Sequence, residues 1–500
     1  MNSFTLLFQG LAACITPGNL LACFVGVFMG TLAGVLPGLG ITGTVAILLP
    51  FSYGMQPLTA LIMISGIYFG SQYGGAITSI LVNIPGEATS IATCFDGHPL
   101  AKKGKAGTAL GIAAISSFTG GTIGLIGLTF FAPMLAQVAL AFGPPEFFTI
   151  ILLGLLLLTN ISEKNMLKSA MMVLLGVILG TVGLDAVFGT LRLTFGSVNM
   201  YKGFNFIILI MGVFGITELL LSICAPQAQG KTANFKFKDL YPKASDLKRV
   251  GPTIGRSSLF GFLVGLIPGP GSMLATFGSY GIAKKISKTP EKFGEGMLEG
   301  VAAPESADNA AMYAQMVPVL SLGIPFSSAM ALMISAFMIH GIQPGPLLIT
   351  QHPDLFWGLI ASLFVGNIML IVLNLPLVGG WASLLKINFK VLMPVITIIT
   401  FTGAYAINNS IFDLGLMTLF GVIGFFLKAT GYDLAALAIG MFLGPQLESS
   451  LVQTMVIYDG SLVTMVLNSP IAGTLFVLIV GVVAFSLVKG LVKMLKKRAS

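Results

Sequence analysis

The eleven-residue run Gly30-Thr31-Leu32-Ala33-Gly34-Val35-Leu36-Pro37-Gly38-Leu39-Gly40 recurs 231 positions later as Gly261-Phe262-Leu263-Val264-Gly265-Leu266-Ile267-Pro268-Gly269-Pro270-Gly271. Both copies lie inside apolar stretches long enough to enter a bilayer, and both end in Pro-Gly-x-Gly. Lipid offers no partner to a freed backbone N–H or C=O, so such a break persists only where protein or a wet cavity covers it. Matched breaks in two halves of a chain are the sequence sign of a transport site built from discontinuous helices.

Composition agrees. The 500 residues are 55% hydrophobic and 9% charged, against about 25% charged in soluble domains, and the mean hydropathy is +0.95. This excludes a soluble globular domain and implies an all-α polytopic membrane protein. The 62 glycines fit, because small residues let membrane helices approach closely. The formal charge of +8 comes from short clusters between apolar spans, which orient a chain in the bilayer and do not suggest nucleic acid. Cys14, Cys23, Cys94 and Cys224 have no metal-ligand spacing and read as small apolar residues. Met1 to Gly10 lack a positive segment, so no cleaved signal peptide is expected.

Residues 1–101 contain no Lys or Arg, and the first cluster is Lys102, Lys103 and Lys105. The positive-inside rule puts the N-terminus outside and this cluster in the cytoplasm. Apolar stretches at about 108–136, 147–160, 169–188 and 206–223 give four crossings, separated by joints such as Gly143-Pro144-Pro145-Glu146 and Glu163-Lys164. They return the chain to a basic cytoplasmic linker, 226–256, which separates a first membrane repeat (1–225) from a second (257–500). The second broken element, 257–283, has this linker on one side and Lys284, Lys285, Lys288 and Lys292 on the other, so both its ends are cytoplasmic. The first, about 20–54, has bare flanks and outward-facing ends. Hairpins entering from opposite faces make an inverted repeat. Lys386, Lys390 and Lys428 mark later inside returns, and Lys489, Lys493, Lys496, Lys497 and Arg498 place the C-terminus inside. The expected architecture is an inverted-repeat secondary transporter with two re-entrant broken-helix hairpins and about eleven to twelve spans.

Gly38-Leu39-Gly40-Ile41-Thr42-Gly43 matches a dinucleotide-binding pattern, but it follows a broken membrane segment instead of a strand, so no nucleotide site is expected. Its glycines free the N–H groups that open the following half-helix, and such termini favour anions. Pro37, Gly38, Gly40 and Thr42 in one copy, with Pro268, Gly269, Gly271 and Ser272 in the other, are therefore candidates to hold a carboxylate. Each half has a second polar interruption. In the first, Tyr68-Phe69-Gly70-Ser71-Gln72-Tyr73-Gly74-Gly75 precedes Asn83-Ile84-Pro85-Gly86-Glu87; in the second, Pro304-Glu305-Ser306-Ala307-Asp308-Asn309-Ala310 precedes Leu322-Gly323-Ile324-Pro325-Phe326-Ser327-Ser328. These add Asn83, Pro85, Pro325 and Ser327 to the candidate substrate site. Acidic residues at membrane depth are costly unless they face a cavity, which makes Glu87, Glu305 and Asp308, with Asn309 beside it, candidates for coupling Na+ or H+. His98, His340 and His352 are too scattered for a metal site or catalytic pair, and no Walker loop, nucleophile elbow or His-Glu-x-x-His helix occurs. No cofactor, resident metal or enzyme activity is expected.

The chain resembles the large membrane subunit of the tripartite tricarboxylate transporters of bacteria. The resemblance rests on Pro37-Gly38-Leu39-Gly40, Asn83-Ile84-Pro85-Gly86-Glu87, Asp96-Gly97-His98-Pro99-Leu100-Ala101-Lys102-Lys103-Gly104, Pro304-Glu305, Asp308-Asn309-Ala310, Leu322-Gly323-Ile324-Pro325 and Pro344-Gly345-Pro346. It implies import of a small organic carboxylate across the inner membrane, driven by an ion gradient and not by ATP. The implied partners are a periplasmic or surface-anchored solute-binding protein and a small membrane subunit of about four spans. Phe326 stands where that family tends to have Gly, and Asp308 where Asn is usual. A channel, or a membrane enzyme acting on a lipid-linked substrate, are the rival readings. The first would not need two opposed broken hairpins, and the second would need a juxtamembrane cluster of His, Asp or Glu.

Overall fold

A computed structural model describes residues 3–36, 40–161, 166–185, 188–224, 237–384 and 389–499. The front of the chain runs α1 (Ser3–Cys14), α2 (Pro17–Val35), α3 (Gly40–Leu48), α4 (Pro57–Val82), α5 (Ile91–Leu100), α6 (Ala106–Ala139), α7 (Pro144–Ile161), α8 (Met166–Gly180), α9 (Phe206–Ile210) and α10 (Thr217–Cys224). A matching series follows: α11 (Ala244–Gly265), α12 (Gly271–Ile286), α13 (Leu298–Leu322) and α14 (Ser328–Ile339). The remainder is α15 (Leu348–Gln351), α16 (Pro353–Leu384), α17 (Phe389–Asn408), α18 (Ile411–Ala429), α19 (Leu434–Ile457), α20 (Leu462–Asn468) and α21 (Pro470–Ala499). Among the described residues a two-stranded ribbon, Gly183–Leu184 with Leu191–Arg192, begins inside the apolar stretch that extends to 188 and ends beyond it.

Both broken elements are helical hairpins. An added Cβ at Gly26, Gly30 or Gly34 of α2 would overlap the carbonyls of Met63, Ile67 and Ser71 on α4, so α2 and α4 run parallel and α3 must carry the chain back between them. The second unit repeats this contact by contact: Gly261 meets Ala307 and Gly265 meets Ala311, so α11 and α13 run parallel with α12 returning. Glycine is required because any side chain would separate the backbones. The second hairpin is longer than 257–283, since α11 begins at Ala244 inside the basic stretch. Its charged N-terminal turns are anchored by an Arg249–Glu299 ion pair at 2.6 Å. Residues 226–236 of the linker, and the hairpin-tip residues Pro37 and Gly38, lie outside the described residues.

The two units also stop alike. α4 ends at Asn83 (φ 59°) and α13 at Gly323 (φ 70°), both left-handed, and each is followed by Ile-Pro. Asn and Gly tolerate that conformation best, and a residue before proline is pushed out of the helical region, which fixes the break.

Every residue of α4 from Ala60 to Leu81 is buried, as is α13 almost throughout, so these two form the centre of the bundle. Six described helices are long and apolar enough to cross a membrane, α2 among them but neither α4 nor α13. Another seven apolar helices have 10–17 residues, so the expected eleven to twelve spans are not met by long helices alone. The outer helices expose apolar side chains such as Leu174, Ile178, Phe426 and Val477, as a lipid-facing surface requires.

Candidate substrate and ion site

The four breaks meet at one cavity of about 530 Å³, a size typical of small-ligand sites. The first hairpin contributes Gly40, Ile41 and Thr42, and the second contributes Gly269, Ser272 and Met273. The breaks after the central helices add Glu87 and Thr89 on one side, and Phe326, Ser327 and Ser328 on the other. From the central helices come Tyr68 and Gln72 of α4 and Asp308 and Met312 of α13. Those pairs stand at equivalent places, because the Ile-Pro breaks, Ile84-Pro85 and Ile324-Pro325, are offset by 240 residues and so are Tyr68 and Asp308.

Hydrogen bonds tie each hairpin tip to the second break of its own unit. The Ile41 amide at the start of α3 donates to the Glu87 carboxylate, so that half-helix terminus holds the protein's own anion. The Gly269 amide donates to the Phe326 carbonyl at 3.1 Å. Gln315 links tip and break in the second unit, donating to Ser272 Oγ at 2.6 Å and accepting from Ser327 Oγ at 2.8 Å. At the cavity, Thr42 Oγ1 of the first unit lies 3.3 Å from Ser328 Oγ of the second.

At another part of the wall, Lys428 forms an ion pair with Glu218, near Tyr432 and Asp433. By contrast, Asp308 Oδ1 and Gln72 Oε1 are buried and accept no hydrogen bond.

Gly40, Thr42, Gly269, Ser272, Ser327, Glu87 and Asp308 thus line the cavity. The other described candidates do not, and each has a local reason. Asn83 is the left-handed cap of α4, and Pro85 and Pro325 terminate helices by restricting the residue before them. Pro268 sits in the turn between α11 and α12, and Gly271 donates to the Gly269 carbonyl at 2.8 Å as α12 opens. Glu305 faces the packed contact of α13 with α5 and α6, accepting from Thr93 at 2.6 Å and Ser117 at 2.9 Å. Asn309 donates back to the Glu305 carbonyl at 3.0 Å.

Gln72, Thr89, Gln315, Glu218 and Lys428 were not among the candidates from sequence. Glu218 was the most readable of these, being an acid within the apolar stretch 206–223. Lys428 carried only a topological meaning until its ion pair placed it at the cavity wall.

A helical bundle with paired broken hairpins around a cavity that holds acidic and hydroxyl side chains defines a membrane transport protein built on discontinuous helices. The chain belongs to the tripartite tricarboxylate transporter TctA family, whose model matches residues 20–439. It is similar to an uncharacterized 52.8 kDa protein in the TAR-I ttuC' 3' region of Agrobacterium vitis, at 43% identity over 475 residues, covering 95% of this chain and 94% of that protein. It is also similar to an uncharacterized protein in the TAR-II ttuC' 3' region of the same organism, at 46% identity over 215 residues, 43% of this chain and 88% of that protein. No solved structure matches it. The chain is therefore a membrane subunit of a tripartite tricarboxylate transporter, a multi-span protein of the inner membrane whose family implies a small membrane subunit and a periplasmic binding protein as partners.

Proposed function

We propose that this chain forms the substrate pathway of a binding-protein-dependent secondary transporter that imports a small organic di- or tricarboxylate on a Na+ or H+ gradient. The observation that carries the reading is the convergence of all four helix breaks on one cavity whose largely apolar wall carries acids, hydroxyls and one lysine. The opening of α12, the hydroxyls of Thr42, Ser272, Ser327 and Ser328, and the Lys428 ammonium receive the carboxylates, with Lys428 exchanging Glu218 for substrate. Glu87 and Asp308 are the acids placed to couple an ion.

The proposed cycle rocks two inverted, re-entrant hairpin units against the outer helices. Helix directions support the inversion. α16 runs with α2, since Gly366 faces Cys23 and Asn374 bonds Thr31. It runs against α6, because Asn367 bonds Thr122 while Leu110 shares a small void with Leu375 and Val378. α6 in turn runs with α13, Gly120 meeting Ser306 and Gly124 meeting Ala310. These directions support a first unit that points opposite to the second. The proposed orientation is N-terminus outside and C-terminus inside, with a four-span small subunit and a periplasmic or surface-anchored binding protein delivering substrate.

Uptake of radiolabelled carboxylate into proteoliposomes holding both membrane subunits, supplied with loaded binding protein, tests this. Accumulation without ATP that stops when both gradients are collapsed is expected. A requirement for ATP, or accumulation that survives the collapse, overturns it.

A further inference from the structure

Two side-chain oxygens at the cavity violate the rule that buried polar atoms are hydrogen-bonded. Asp308 is 3% exposed and Gln72 is 5% exposed, yet Asp308 Oδ1 and Gln72 Oε1 accept nothing. They belong to the two central helices, α13 and α4, and both line the same cavity. The Gln72 amide nitrogen is already committed, donating to Thr89 Oγ1 at 3.2 Å, which leaves its carbonyl oxygen free. Lys428 is spoken for by Glu218, and among the described residues no Lys or Arg pairs with Asp308.

Two unpartnered acceptor atoms at membrane depth, one of them on a carboxylate that is otherwise hydrogen-bonded by Thr89, form a region of negative potential whose natural occupant is a positive charge. The neighbours on the same wall are oxygens too, the Thr89 hydroxyl and the Tyr68 phenol. Hard cations take such ligands. Among the described residues no group of three His, Cys, Asp or Glu is present, so the carboxylates that a divalent ion demands are missing. One carboxylate balances one charge.

We propose that Asp308 and Gln72, with Thr89 and Tyr68, form a binding site for a monovalent alkali cation. The proposal rests on the ion-coupled reading above and deepens it by choosing Na+ over H+ and locating the ion between the two central helices.

The test is the melting temperature of the purified full-length protein in detergent, titrated with NaCl against choline chloride at constant ionic strength. A saturable rise specific to Na+ is expected, as for any ligand that binds only the folded state. Asp308→Asn, nearly isosteric, should abolish the rise, and Gln72→Met should weaken the apparent Na+ affinity by about tenfold or more. Glu305→Gln, outside the cavity, should keep it. Equal response to choline overturns the proposal, as does a full Na+ response in both Asp308→Asn and Gln72→Met. Stabilisation by acid in place of Na+ also overturns it, and would assign a proton to the cavity carboxylates Asp308 and Glu87. The measurement uses neither partner nor gradient, so the two readings fail separately. Na+ binding with Na+-independent uptake removes the Na+ coupling and leaves the site, while Na+-driven uptake intact in Asp308→Asn removes the site and leaves the transporter.

Discussion

At the scale of single residues, the most heavily used acceptor in the described chain is a carboxylate outside the cavity. Asp96 is fully buried and accepts from the amides of Gly294 at 3.0 Å, Gly296 at 2.7 Å and Met297 at 2.6 Å, and from the Tyr280 hydroxyl at 2.9 Å. It thereby pins the segment joining the second hairpin to α13 onto the end of α5. Asp96→Ala strands these donors and should cost about 3 kcal/mol, read as a lower melting temperature and reduced yield in detergent. Lys428→Ala acts differently. It removes a charge that we assign to substrate and not to folding, so KM for the carboxylate should rise about tenfold, the worth of one charge-assisted contact, with kcat changing less. An unchanged KM in proteoliposome uptake would remove Lys428 from the proposed site.

Helices teach where the sequence was readable. The breaks were, because Pro-Gly-x-Gly and Ile-Pro act through covalent geometry that needs no tertiary context. The face on which a central residue points was not. α13 is buried nearly all round, so it has no polar stripe to orient it, and only packing separates Asp308, at the cavity, from Glu305 three residues earlier, against α5 and α6. The start of α11 at Ala244 was hidden for a different reason, since its charged first turns read as linker although they are helical. The glycine contacts give the sharpest element-scale prediction. Gly30→Ala and Gly261→Ala push an added methyl into the Ile67 and Ala307 carbonyls, whereas Gly18 and Gly281 have nothing within 4 Å. The first two should each lose about 1–3 kcal/mol and Gly18→Ala and Gly281→Ala almost nothing, by thermal melting of the four variants side by side.

For the whole molecule, the contact between Thr42 and Ser328 is where the hairpin tip of one unit touches the second break of the other. A transport cycle that rocks the units must alter it. In a Cys224→Ser background, which removes the exposed native thiol and leaves the buried Cys14, Cys23 and Cys94, Thr42→Cys with Ser328→Cys should form a disulfide on oxidation. Uptake should then stop and return with reductant to the lower level of the unoxidised double variant, which lacks two of the proposed substrate hydroxyls; no difference in uptake between the oxidised and reduced double variant would show that this contact does not move. The offset of 240 residues has a further consequence. Two identical inverted units would give inward-open and outward-open states of equal free energy, mirror images with no preference. Here Tyr68 stands opposite Asp308 in the repeat and Glu87 opposite Ser327, so exchanging the roles of the units exchanges a phenol for an acid and an acid for a hydroxyl. In the proposed cycle that inequality would lift the degeneracy, so that the empty transporter would rest facing one side and ion and substrate would supply the free energy that turns it to the other.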